Sequence, residues 1–202
     1  MEVQIVSGFL GVGKTTFLNK YIPALPGKTV IIENEFGEVR LDEELFGGDI
    51  SVRELYAGCI CCSLTMGFRD TISEIARSIK PDRIVIEPSG VGQLSDIVNV
   101  CMKAKIQEEL PISITKLITI VDLDDYELAA KNFGRFYLDQ IEQAGLLLLS
   151  NLDMGDESKK QRLLQTLKGT NPKALIYEND WRQLDTTVLL KLISQTENYK
   201  ER

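Results

Sequence analysis

Short apolar runs rich in Val and Ile alternate along the chain with longer stretches whose apolar residues recur at helical spacing. Val3 to Val6, Thr29 to Ile32, Arg83 to Ile86, Leu117 to Val121, Leu146 to Leu149 and Ala174 to Ile176 are expected as strands. Their continuous apolar character implies cover on both faces. Thr15 to Tyr21, Phe68 to Ile79, Leu94 to Ala104, Leu138 to Gln143, Lys159 to Leu167 and Thr186 to Ser194 are expected as helices. This alternation predicts an α/β fold, a doubly wound and mainly parallel sheet with helices on both faces. Gly169 after Lys168 is expected to cap a helix, and Pro81 to mark a helix-to-strand turn. Glu43 to Leu55 reads as a small hairpin around Gly47-Gly48.

No repeat, low-complexity tract or linker interrupts the 202 residues, so one domain over 1–202 is expected. A net charge of -7 lacks the basic footprint that general nucleic-acid binding needs. The longest apolar run, around Leu146 to Leu149, is too short to span a bilayer. Met1-Glu2-Val3-Gln4 has no basic start of a signal peptide. Neither nucleic acid nor membrane is therefore expected as a partner, and a cytoplasmic location is. The chain has 4 Cys and 0 His. A metal site within it must use sulfur and oxygen, and no general base can be an imidazole.

Gly8-Phe9-Leu10-Gly11-Val12-Gly13-Lys14-Thr15 fits the phosphate-loop pattern of Gly, four residues, Gly-Lys-Ser/Thr. It follows an expected strand and opens an expected helix, which a chance Gly-rich turn would not. Glycines let the backbone wrap closely around a phosphate and turn its N–H groups inward. The helix that follows adds its positive N-terminal dipole. Gly8, Gly11, Val12, Gly13, Lys14, Thr15 and Thr16 are the expected nucleotide contacts. Lys14 would reach the β- and γ-phosphates, and the Thr15 hydroxyl would ligate Mg²⁺. The fold class is thereby narrowed to a P-loop NTPase. Glu87-Pro88-Ser89-Gly90 follows the strand Arg83 to Ile86, and ligands of open α/β sheets lie beyond the carboxyl ends of strands. Glu87 is expected near Mg²⁺ holding water, and Gly90 to let a backbone N–H approach the γ-phosphate. The competing reading is a plain strand-ending turn.

Leu147-Leu148-Leu149-Ser150-Asn151-Leu152-Asp153 is an apolar strand ending in a polar turn. It resembles the Asn-Lys-x-Asp stretch of translational GTPases and their relatives. Asp153 stands at the carboxylate that accepts two guanine hydrogen bonds, Ser150 at the first position, and Asn151 replaces the Lys. Adenine cannot supply those bonds, so such a site discriminates strongly. The competing reading makes Asp153 a helix cap before Lys159.

Gly58-Cys59-Ile60-Cys61-Cys62 brings three thiols into four positions. If the chain turns at Gly58, they can converge on one soft or borderline cation, with Zn²⁺ suited to thiolates and a fourth oxygen or nitrogen completing a tetrahedron. Buried small apolar residues and a redox motif are the alternatives, though the spacing differs from Cys-x-x-Cys.

The chain resembles the CobW-like family of P-loop GTPases, within the wider group of metal-insertion GTPases. The resemblance rests on Gly8 to Thr16, Glu33-Asn34-Glu35-Phe36-Gly37-Glu38, Gly58 to Leu64, Glu87 to Gly90, and Gln140-Ile141 leading into Leu146 to Asp153, in family order over nearly the whole chain. It implies hydrolysis of GTP to GDP coupled to delivery of a metal such as Zn²⁺ or Co²⁺ to a client protein. It also implies that Glu35 lies in a switch region near Mg²⁺ and the cysteines. Lys14, Glu35 and Glu87 are the expected catalytic residues, the glutamates by orienting water. Slow intrinsic turnover is expected, because no arginine finger is evident in the sequence. Asn151, and Arg40 where relatives often carry Gly, depart from the family pattern. The usual smaller C-terminal domain, often with a His-rich segment, is absent from these 202 residues. The sequence is therefore either a minimal GTPase-only member or a fragment; a separate protein that supplies the missing part is one expected partner, and a nucleotide-dependent homodimer a further expected assembly. The alternatives in other classes are a nucleotide-gated activator that transfers no metal and a P-loop small-molecule kinase. No clustered lid arginines support the kinase.

Overall fold

The computed structural model describes residues 1–33, 50–54, 64–152 and 157–199. Glu35, Arg40, Gly47-Gly48, Cys59, Cys61, Cys62 and Asp153 lie outside them. Among the described residues, one sheet holds seven strands: β1 (Glu2–Gly8), β2 (Thr29–Glu33), β3 (Ile50–Glu54), β4 (Arg83–Glu87), β5 (Ser113–Asp122), β6 (Leu146–Ser150) and β7 (Leu175–Tyr177). Their order is β3-β2-β4-β1-β5-β6-β7, and every pairing is parallel. This is the expected doubly wound sheet.

Side-chain alternation along the strands divides the core between two faces. Val6, Ile31, Val85, Ile120 and Leu148 pack under α1 (Lys14–Tyr21) and α7 (Thr186–Ser194) through Phe17, Leu18, Leu189 and Ile193. On the other face, Val3, Ile5, Ile32 and Ile86 meet α2 (Leu64–Glu74) and α3 (Leu94–Gln107) through Phe68, Ile72, Ile97 and Cys101. Val121, Leu147 and Leu149 meet α4 (Tyr126–Phe133), α5 (Arg135–Gln143) and α6 (Glu157–Thr170). With both faces covered, the strands need no regular polar alternation, which is why they read as mainly apolar runs, interrupted by buried polar residues such as Gln4 and Thr119.

The structure adds to or departs from the expectations at four places, and the expected hairpin turn at Gly47-Gly48 lies outside the described residues. Residues 50–54 form a strand parallel to β2, with Thr29 opposite Ile50 and Glu33 opposite Glu54. Helix α4 was not expected, because it buries only Tyr126 and Ala129 and leaves Leu128 and Phe133 exposed. The expected helix to Ile79 ends in a π turn over Ile75–Ile79, closed by the Lys80 N–H donating to Ile75 O at 3.0 Å. Gly169 lies inside α6 and caps nothing. Asn171 closes that end: its N–H donates to Leu167 O, and its side-chain amide donates to Ile141 O, Glu142 O and Ala144 O at 2.8, 3.1 and 2.9 Å. The backbone N–H thus serves the end of α6 while the side-chain amide serves the end of α5, and the second task is one a glycine cannot perform.

Most strands run past their last apolar residue, and this extension positions the site. The ladders continue to Gly8, Glu33, Glu87, Asp122 and Ser150, at the carboxyl rim. Glu33 pairs in register with Glu87, and Asp122 with Ser150. Adjacent strands β1 and β4 then send their chains to opposite faces, β1 into α1 and β4 into α3. Such a switch point opens a crevice above the sheet, where α/β folds take ligands.

Candidate nucleotide site

Residues 9–13 leave β1 at this crevice and enter α1. Gly13 is the N-cap of α1 with φ 101°, in the left-handed region where a Cβ is strained. It offers no side-chain cap, and the first turn of α1 carries no acidic residue. The opening N–H groups of the helix are therefore left to an anion. Lys14 is buried, and its Nζ donates to Phe9 O at 3.2 Å, so the cation folds back across the loop toward its strand end. Thr15 is half-buried and Thr16 exposed beside it. Gly8, Gly11 and Val12 complete the loop, with Val12 in the core under α1.

The turn after β4 is pressed onto this loop. A Cβ on Gly90 would lie 2.7 Å from Leu10 N and 3.0 Å from Phe9 C, so only glycine fits. The Gln140 side-chain amide, buried on α5, donates to Gly90 O at 3.1 Å and Gly92 O at 2.8 Å. Three elements thus meet at one point: the phosphate loop, the β4 turn and α5. Glu87 is buried at the last position of β4, on the same rim. Replacing Gly90 by Ala is expected to force the two backbones apart at about 1–3 kcal/mol. For a chain of this size that lowers the melting temperature by roughly 2–12 °C. Thermal denaturation checks it; a Gly90→Ala protein that melts like the wild type would contradict the close approach.

On the far side of β5, Ser150 ends β6 fully buried, and its Oγ has no hydrogen-bond partner among the described residues. Asn151 follows in the left-handed region at φ 55°. Its side-chain amide donates to Asp122 Oδ2. Asp122 Oδ1 in turn accepts the N–H groups of Asp124 and Asp125 at 2.7 and 3.2 Å. Asn151 is thus tied to the end of the neighbouring strand.

Among the described residues, no group of three or more His, Cys, Asp or Glu could hold a metal ion. Cys101 is fully buried on α3, where burial pushes its thiol up to about 12. It stays protonated at neutral pH and is a core residue rather than a ligand. The donors at the loop fit Mg²⁺, a cation of oxygen ligands: the Thr15 hydroxyl stands at the helix start and the Glu87 carboxylate on the same rim.

Two residues beside the loop carry no motif and escaped the sequence reading. After β7, a short 3₁₀ turn (Trp181–Gln183) runs back against α1. Trp181 is fully buried edge-on to Phe17, with ring centroids 5.4 Å apart. Arg182 stacks its guanidinium over the Trp181 ring at 5.4 Å. From a Cβ built on Gly13, both Trp181 Cζ2 and an Arg182 terminal nitrogen are 3.7 Å away.

Fold and loop together define a P-loop nucleotide-binding protein. The family model for the CobW/HypB/UreG nucleotide-binding domain matches residues 2–178, and the chain belongs to that family of P-loop GTPases. It is 30% identical over 198 residues to the zinc chaperone YjiA of Escherichia coli, covering 94% of this chain and 60% of that protein. It is 28% identical over 231 residues to the zinc chaperone CobW of Pseudomonas aeruginosa, covering 98% and 61%. The chain therefore spans about three-fifths of the length of these relatives. Zn(II)-bound YjiA GTPase from E. coli superposes with a TM-score of 0.67 at 22% identity, over 100% of this chain and 66% of that one. HypB from Helicobacter pylori in complex with nickel superposes at 0.59 and 17% identity, over 99% and 91%. No helix among the described residues is long and apolar enough to cross a membrane.

Proposed function

We propose that this chain is a GTP-hydrolysing metallochaperone of the cytoplasm, which holds Zn²⁺ or Co²⁺ at Cys59, Cys61 and Cys62 and passes it to a client protein under nucleotide control. GTP and GDP bind on Gly8 to Thr16, with Gly90 beside the γ-phosphate and Ser150, Asn151 and Asp153 at the base. The Thr15 hydroxyl would hold Mg²⁺, which when bound would supply positive charge to the β- and γ-phosphates. Lys14 supplies a fixed positive charge there, and Glu35 or Glu87 orients the attacking water. A metal-receiving client protein is the proposed partner.

The observation that supports coupling is the register at the carboxyl rim. Glu54, Glu33 and Glu87 end three neighbouring strands at one level. The chain toward Glu35 departs from Glu33, and the chain toward the cysteines departs from Glu54, on the same side of the sheet as the phosphate loop. A γ-phosphate that orders the first segment has a short path to the second. Zinc in the names of YjiA and CobW, and nickel in HypB, support a transition-metal cargo.

Guanine recognition is the part of this reading most readily tested. Wild-type protein is expected to prefer GTP to ATP, and Asp153→Ala to abolish the preference by leaving the guanine N–H groups unpaired. A site built on such bonds discriminates by about 10⁴-fold. Competition of ATP against labelled GTP measures it. Equal affinity for ATP and GTP in the wild type would refute the base site.

A further inference from the structure

We propose that Arg182 is a nucleotide-contact residue that grips the α-phosphate side of the bound guanine nucleotide. The inference rests on the reading of residues 8–16 as a GTP site. Two cations bracket the phosphate loop from opposite ends. Lys14 turns back to Phe9 O at the strand end, while the Arg182 guanidinium lies 3.7 Å from the Cβ position of Gly13, at the helix end. In phosphate loops the lysine serves the β- and γ-phosphates, and the loop backbone cradles the α- and β-phosphates.

The base end lies on the same side as Arg182. The Trp181–Gln183 turn leaves β7, the neighbour of β6, and packs on β6, whose end carries Ser150 and Asn151. Arg182 is thereby placed at the helix start on the β6 side of the loop, the side toward which the α-phosphate and ribose of a nucleotide with its base at Ser150 and Asn151 would run.

Its side chain is prepared for that position. Stacking on Trp181 at 5.4 Å and pairing with the Asp180 carboxylate at 3.6 Å restrain the guanidinium. The Asp180 carboxylate also accepts the Arg182 N–H at 2.9 Å, and Lys20 Nζ donates to Arg182 O at 2.6 Å, so the backbone is fixed to α1. Roughly a third of the side chain stays exposed, enough to meet a ligand. Trp181 turns its Cζ2 edge to Gly13, and its buried Nε1 has no partner among the described residues. A planar guanidinium offers a phosphate two parallel donors, which a lysine does not.

The α-phosphate is common to GDP and GTP, so Arg182 acts on both alike. Calorimetric titration of wild type, Arg182→Gln and Arg182→Lys with GDP and with a non-hydrolysable GTP analogue tests this. Arg182→Gln is expected to weaken both nucleotides by the same factor, roughly 10- to 100-fold, with Arg182→Lys intermediate. The gap from wild type should narrow as salt rises, which a purely structural stacking role would not produce. Unchanged GDP affinity in Arg182→Gln, or a loss confined to the triphosphate, overturns the proposal. Should Arg182→Gln fail to fold, Arg182→Lys decides: wild-type affinity for both nucleotides overturns it. A wild type that binds neither nucleotide refutes the GTP site itself, and this inference with it.

Discussion

Lys14→Ala is expected to lose GTP binding by about 100-fold or more. Each charge-assisted hydrogen bond from a fixed ammonium to a phosphate oxygen contributes about 1.5–3 kcal/mol, and Lys14 is proposed to make two, one to each of the β- and γ-phosphates. Every 1.4 kcal/mol is a factor of about ten in affinity. In the structure Lys14 is buried and hydrogen-bonded to Phe9 O, so its cation is held at the loop rather than dispersed in solvent. Truncation removes one donor from Phe9 O at the edge of the core and leaves the sheet untouched, so the variant should fold. Calorimetric titration with the GTP analogue, together with a melting curve, checks both statements. A folded Lys14→Ala protein with wild-type GTP affinity would remove the phosphate-loop assignment.

Replacing any one of Cys59, Cys61 or Cys62 by Ala is expected to lower Zn²⁺ affinity by roughly 100-fold or more. A structural zinc site of four ligands yields about 10–16 kcal/mol, so one thiolate accounts for several kcal/mol. The thiolates bind only after losing their protons, so metal uptake should release protons and strengthen as pH rises. Cobalt reports the same site through thiolate charge-transfer absorption, which oxygen ligands do not give. GTP binding without metal should be nearly intact in each variant. Cys101→Ser is the control: buried with its thiol pushed up to about 12, Cys101 cannot serve as a ligand, and metal affinity should not change. Wild-type Zn²⁺ affinity in all three single variants would exclude the motif as the metal site.

What the sequence reveals of this fold follows from where the apolar residues sit. Strands β1, β2, β4, β5 and β6 are covered on both faces, so Val, Ile and Leu fill consecutive positions and announce them. Their last residues are polar, however, and periodicity stops before them. Glu33, Glu87, Asp122 and Ser150 belong to the ladder, yet hydrophobicity alone ends each strand one residue too soon. Edge strand β3 mixes Ile and Val with Ser, Arg and Glu, which reads as a hairpin arm and hides its parallel pairing with β2.

The site divides in the same way. The phosphate loop is a contiguous motif whose glycines and lysine are each required by local geometry, so it is legible. The pattern gives Gly90 a role at the γ-phosphate, whereas its close approach to the loop backbone at Leu10 leaves no mark in the sequence. Arg182 is far from the loop in sequence and belongs to no pattern. It is brought to Gly13 only by the path of β7 and by the burial of Trp181 against α1. Long-range placement of this kind leaves no local trace in the residue order.

The central prediction is that the bound nucleotide alters metal binding at the cysteines. Competitive titration of the reduced protein with Zn²⁺, against a chelator of known affinity, compares the Mg·GTP-analogue state with the Mg·GDP state. Coupling between two ligands is commonly about 1–3 kcal/mol, so zinc should bind roughly 5- to 150-fold more tightly with the triphosphate. Reciprocity requires zinc to tighten binding of the GTP analogue, relative to GDP, by the same factor. Equal zinc affinity in the two states would leave a GTP site and a metal site with no switch between them, and would contradict the account.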